Sequence, residues 1–178
     1  MTGQDTKPEF VRVIDVSGLE PGVREQMSFE ATVDECTAIA ARLKLLALTE
    51  FSADLYVLRE LSGDVSVFGD LTAELEQACV VTLDPVKESV EASVMQRFTA
   101  RDDDDVDEAD DEDPPEPIRD DEIEVGEVLV QNLSLALNPY PRAPGAAFET
   151  VDDMAGEPTG PFAALAQLRE TGEKAKKE

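Results

Sequence analysis

Carboxylates dominate the reactive side chains of this sequence. Its 178 residues hold 41 aspartates and glutamates, 15 lysines and arginines, and no histidine. Without an imidazole, the chain lacks the commonest general base near neutral pH and the commonest zinc ligand. Its two thiols, Cys36 and Cys79, are too few for a secreted disulfide framework. Cys79 opens the tetrapeptide Cys79-Val80-Val81-Thr82, where Thr82 stands three positions on instead of a second thiol. A closed zinc site needs about four ligands, so no metal site is expected. The aspartates at 102–105 lack the ligand spacing and turn glycine of an EF-hand. No glycine-rich phosphate loop is present, and no serine or cysteine sits in a nucleophile motif. The expectation is a protein with no catalytic residue and no cofactor, not an enzyme.

The residues best suited to specific contact lie in the extended, proline-rich loop Tyr140-Pro141-Arg142-Ala143-Pro144. Such a segment binds with little loss of conformational freedom, and Tyr140, Pro141, Arg142 and Pro144 are the candidate partner contacts. An equally good reading wraps the loop across the domain as a cap on its core. The formal net charge is −26. A surface this acidic repels phosphate backbones and membrane headgroups and favours basic proteins. Aromatic content is 5% with no tryptophan, which leaves few platforms for base stacking. Broad phosphate contact with RNA is therefore disfavoured. No signal peptide and no membrane-spanning apolar run is evident, so a cytoplasmic location is expected.

These residues need elements to position them, and the clearest one runs through residues 71–85. Leu71, Ala73, Leu75, Cys79, Val81 and Leu83 fall on alternate positions, the period of a strand with one dry face. The phase extends back to Val65, which is too long for one flat strand. A bend is expected at Gly69-Asp70 or at Gln77. Further strands are expected within 10–16, 27–33, 51–60 and 90–98, with a hairpin turn at 61–64. Asp34 offers an N-cap for a helix to about Leu45, with Cys36, Ile39, Ala40 and Leu43 on its apolar face. A second helix is expected over 123–137, stopped by Asn138-Pro139. Pro161 suits the first turn of a short last helix carrying Phe162, Leu165 and Leu168. Between 102 and 124 there are 15 acidic residues and one base, Arg119. The span 102–122 reads as a disordered acidic insertion, either a solvated linker or a lure for basic partners.

The fold class expected is α+β: a largely antiparallel sheet of about five strands, two packed helices and a short C-terminal helix. A long bent strand lets such a sheet curl, so a barrel-like closure is one form open to it. Residues 1–150 make one domain with the insertion at 102–122, and 151–178 form a tail.

The segment Gln77-Ala78-Cys79-Val80-Val81-Thr82-Leu83-Asp84-Pro85 resembles the signature of the YceD-like family, the large ribosomal RNA subunit accumulation proteins. Blocks at 41–48, 135–142 and 161–165 agree in order, and the pattern is most similar to the alphaproteobacterial branch. Many members carry a Cys-x-x-Cys where this chain has Cys79 and Thr82, which suggests that metal is not essential to the family's role. The resemblance implies a non-enzymatic factor supporting large ribosomal subunit assembly and ribosomal RNA accumulation. With the charge, it points to protein–protein contact with a basic ribosomal or assembly protein. The alternative is a general acidic chaperone or nucleic-acid mimic that shields a basic protein.

Overall fold

A computed structural model describes residues 9–100 and 115–147. Residues 1–146 form one compact unit and 147–178 a second, nearly all of which lies outside the described residues. The expected C-terminal helix falls there, as do residues 102–114 of the acidic insertion.

Among the described residues, seven strands and two helices follow in the order β1 (Val13–Asp15), β2 (Arg24–Glu30), α1 (Val33–Leu43), β3 (Ala47–Arg59), β4 (Val65–Ala78), β5 (Pro85–Thr99), β6 (Glu116–Pro117), β7 (Glu122–Glu124) and α2 (Val125–Ala136). The main sheet has the order β2-β3-β4-β5-β6 and is antiparallel except where β6 runs parallel to the end of β5. The fold is thus α+β with two helices and a mostly antiparallel five-stranded sheet. It is not a barrel. β2 and β6 are its opposite edges, because β1 leaves it to pair with β7 in a separate two-stranded ladder.

β4 sits at the centre. Its alternation puts Val65, Val67, Leu71, Ala73 and Leu75 on the dry face, each at most 2% exposed. α1 packs on β3 and α2 on β5, so both helices cover that one face. The pairing of β4 runs unbroken past Gly69 and Gln77, the two expected bend positions. The one register shift lies on β3 between Leu48 and Glu50. The strand also stops at Ala78. Alternation beyond it reflects a turn that happens to bury Cys79, while Leu83 is 75% exposed with a left-handed backbone, φ 65°.

Local chemistry moved several expected boundaries. α1 is capped by Thr32, not Asp34: the Glu35 N–H donates to Thr32 Oγ1 and the Thr32 N–H to Glu35 Oε2. This reciprocal pair satisfies two orphan donors, whereas Asp34 only adds a favourable charge to the first turn. Arg12 reaches the same cap with a two-pronged pair to Glu35 at 2.8 and 3.0 Å, which holds that carboxyl down at about 2. α2 begins at Val125, because Ile123 is drawn into β7 opposite Ile14 and buried there. Glu124 caps the helix, accepting the N–H groups of Gly126 and Glu127.

The insertion is shorter than its acidity implies. Residues 115–122 belong to the fold: Glu116–Pro117 is β6, the Ile118 N–H donates to the Thr99 carbonyl, and Arg119 and Glu122 exchange backbone hydrogen bonds. Asp120 and Asp121 between them are both left-handed, φ 53° and 58°, which aspartate tolerates better than most residues.

At Gly69 of β4, opposite Leu55 of β3, a Cβ would stand 2.1 Å from the Asp54 carbonyl oxygen. Gly69→Ala must push two paired backbones apart. We expect a loss of about 2 kcal/mol or more in urea unfolding, the scale of an overpacked core. An unchanged midpoint would show that the ladder yields there.

Candidate functional site

The turn between β4 and β5 is built around one sulfur. Cys79 has no exposed surface, and its Sγ accepts N–H groups from Val81, Thr82 and Ala143 at 3.4, 3.4 and 3.3 Å. Its own N–H donates to the Asp84 carbonyl, and its carbonyl accepts from Leu83, closing the turn. The Ala143 N–H, then the Thr82 side chain, and the Thr82 and Val81 N–H groups outweigh burial and pull the thiol down to about 6. Hydrogen bonds to the charged form favour that form. Cys79 is thus an acceptor at the hub of a backbone turn.

The donor from Ala143 matters most, since it comes 64 residues further along the chain. Two more bonds tie the same segments: the Val80 N–H donates to the Pro141 carbonyl at 2.9 Å, and Gln77 Nε2 to the Asn138 carbonyl at 3.3 Å. The proline-rich loop is therefore latched onto the end of β4. Within it Pro141 is buried, while Tyr140, Arg142 and Pro144 are exposed. Pro141 thus serves as part of a cap, and its neighbours face outward. Beside them the turn presents Val80 and Leu83, which the alternation pattern had placed in a strand. Only the turn signal of Asp84-Pro85 hinted otherwise. The exposed side chains Val80, Leu83, Tyr140 and Arg142 thus lie on the two segments that the latch ties together.

The donors present do not fit a zinc ion. Thr82 occupies the second position, the chain has no histidine, and Cys36 is buried on α1 against the core. Among the described residues, no group of three or more histidine, cysteine, aspartate or glutamate side chains could hold a metal ion. An open cleft elsewhere is lined by Phe98, Glu116, Arg119, Glu122 and Glu124. There the Glu116 carboxyl is raised by burial and by the charges of Glu124 and Glu127.

The segments joined by the latch are the ones in which the sequence resembles a known family. A comparison with family models matches residues 67–169 to the one described as large ribosomal RNA subunit accumulation protein YceD. The match covers more than half of the chain and both latched segments. The chain belongs to the YceD family. No curated protein and no solved structure matches it. The family's description ties this YceD chain to the accumulation of large-subunit ribosomal RNA. Among the described residues, no helix is long and apolar enough to cross a membrane.

The thiol supplies a pH test of the latch. A free thiol titrates near 9.0, and Cys79 in the fold near 6. Between those values the unfolded chain keeps a proton that the folded chain has released, so stability rises with pH across that window. The contribution is complete above the unfolded value and lost as pH falls through the folded one. Cys79→Ser removes the titration, so the difference between wild type and variant in urea unfolding should widen as pH rises from 6 to 9. A constant difference would show that the sulfur stays protonated.

Proposed function

We propose that this YceD chain is a non-enzymatic factor in large-subunit assembly that acts by contact with a basic ribosomal or assembly protein. Family membership supports the process. The mode of contact rests on one observation, the exposed Val80–Leu83–Tyr140 patch that the Cys79 latch holds in place on a chain of net charge −26. Leu83 is its most telling member. A left-handed backbone costs an L-residue about 1–2 kcal/mol, and burial does not offset it at 75% exposure. A strained, exposed leucine is what a contact residue looks like when function, not stability, keeps it. The acidic surface complements a basic partner and opposes wide phosphate contact, since each phosphate neutralised needs a lysine or arginine.

Purified protein titrated against naked large-subunit RNA and against isolated basic large-subunit proteins, across a salt series, tests this. Salt-sensitive binding to one basic protein, and none to RNA, is expected. Tight RNA binding that falls steeply with salt would overturn it, and equal capture of every basic protein would favour a general acidic chaperone.

The patch has its own test. Leu83→Gly should leave the urea midpoint unchanged or raised, because glycine adopts the left-handed backbone without penalty, yet weaken partner binding about fivefold or more, the worth of one lost apolar contact. Unchanged affinity would remove Leu83 from the interface.

A further inference from the structure

The helices cover one face of the main sheet, and the other face carries an ordered pattern. Strand register lines up Gln26, Tyr56, Phe68 and Met95 as one row across β2, β3, β4 and β5. Met95 is 75% exposed, and the rings of Tyr56 and Phe68 stack at 5.8 Å between centroids. Arg24 lies over both rings, 4.9 Å from Phe68 and 5.6 Å from Tyr56. Single exposed apolar residues need no explanation, but a continuous cross-strand row of them does.

The rows that follow, each about 7 Å further along the strands, are acidic. Asp54 and Asp70 share the next row, Glu30 and Glu91 flank the one after, and Glu50 and Glu74 pair beyond them. Lys87 offsets Glu76 alone, at 3.6 Å. On the other side of the aromatic row the register places Arg24, Leu58, Ser66 and Arg97, so the apolar row stands between a cationic end and a carboxylate field.

The geometry points to the open face of the sheet as a docking surface for a basic protein segment carrying one apolar anchor. The anchor seats on Tyr56, Phe68 and Met95, and lysines or arginines one or two rows away meet Asp54, Asp70, Glu30 and Glu91. The charge selects this occupant. A second copy of a chain bearing −26 would set carboxylate against carboxylate. Single-stranded RNA could stack on the rings, but its phosphates would then cross the acidic rows. This assignment deepens the reading of a basic partner and rests on it, while naming a surface separate from the Cys79 latch.

The test is amide NMR of the full chain titrated with short synthetic peptides: lysines around a central phenylalanine, the same with serine for phenylalanine, and a glutamate version, with oligouridylate alongside. The phenylalanine peptide should shift the signals of Tyr56, Phe68, Met95, Asp54 and Asp70 and bind about fivefold or more tighter than the serine peptide. Met95→Ser should abolish that preference, and Glu91→Gln should weaken both basic peptides; both side chains are exposed, so the fold is kept. Shifts confined to Val80, Leu83 and Tyr140, or to the cleft at Glu116, would overturn the assignment and leave the basic-partner reading standing. Failure of every basic peptide, together with every basic large-subunit protein, would overturn both. Row signals that respond to oligouridylate, or to dilution of the protein itself, would assign the face to RNA or to self-association and also overturn it.

Discussion

Everything described depends on β4 being paired on both sides, to β5 along its whole length and to β3 from Val65 to Glu76. β3 and β5 bond to it from Val65 onward, and its dry residues meet both helices. A central strand with no free edge cannot slip, because a shift of one residue would turn Val65, Val67, Leu71, Ala73 and Leu75 into water. Each such side chain, fully buried, contributes about 1.5–3 kcal/mol, less for Ala73. Register fixed in this way sets the two faces of the sheet and the place where the strand ends. The aromatic row and the Cys79 turn are both consequences of it.

At that end, one sulfur joins chain segments far apart in sequence. A turn of six residues has several donors to place, and one buried sulfur can accept more than one of them. Two of them converge on Cys79, and a third donor reaches it from the proline-rich loop. The sulfur organises backbone. Val80, Leu83 and Tyr140 are then presented by a rigid support, although each belongs to a turn or loop. Leu83, left-handed and exposed, is the local cost of that arrangement.

Much of this was legible in the residues. Period-two alternation located β3, β4 and β5, and helical spacing located α1 and α2. What failed was local. Alternation cannot tell a strand from a turn that buries one residue, so it puts both Cys79 and Leu83 inside, whereas only Cys79 is buried. Composition cannot see that Ile118 and Ile123 anchor the acidic span, so residues 115–122 read as loose when they form β6 and a tight turn. Thr32 and Asp34 are both good cap types, and only the reciprocal bonds of Glu35 decide for Thr32. Proline content alone marks Tyr140, Pro141, Arg142 and Pro144 as an extended loop. Its latch to Cys79 was beyond reach, since nothing in the sequence announces a hydrogen bond across 64 residues.

The central claim is that the latched patch connects this YceD chain to large-subunit ribosomal RNA through a partner. The most direct measurement replaces the chromosomal copy with a Leu83→Ser, Tyr140→Ser double variant and quantifies large- against small-subunit ribosomal RNA, with the abundance of the protein measured in the same cells. Both side chains are exposed, so the variant protein should accumulate normally. The account predicts that the ratio of large- to small-subunit RNA falls to the level of a deletion strain. A ratio equal to wild type, at equal protein abundance, would contradict it.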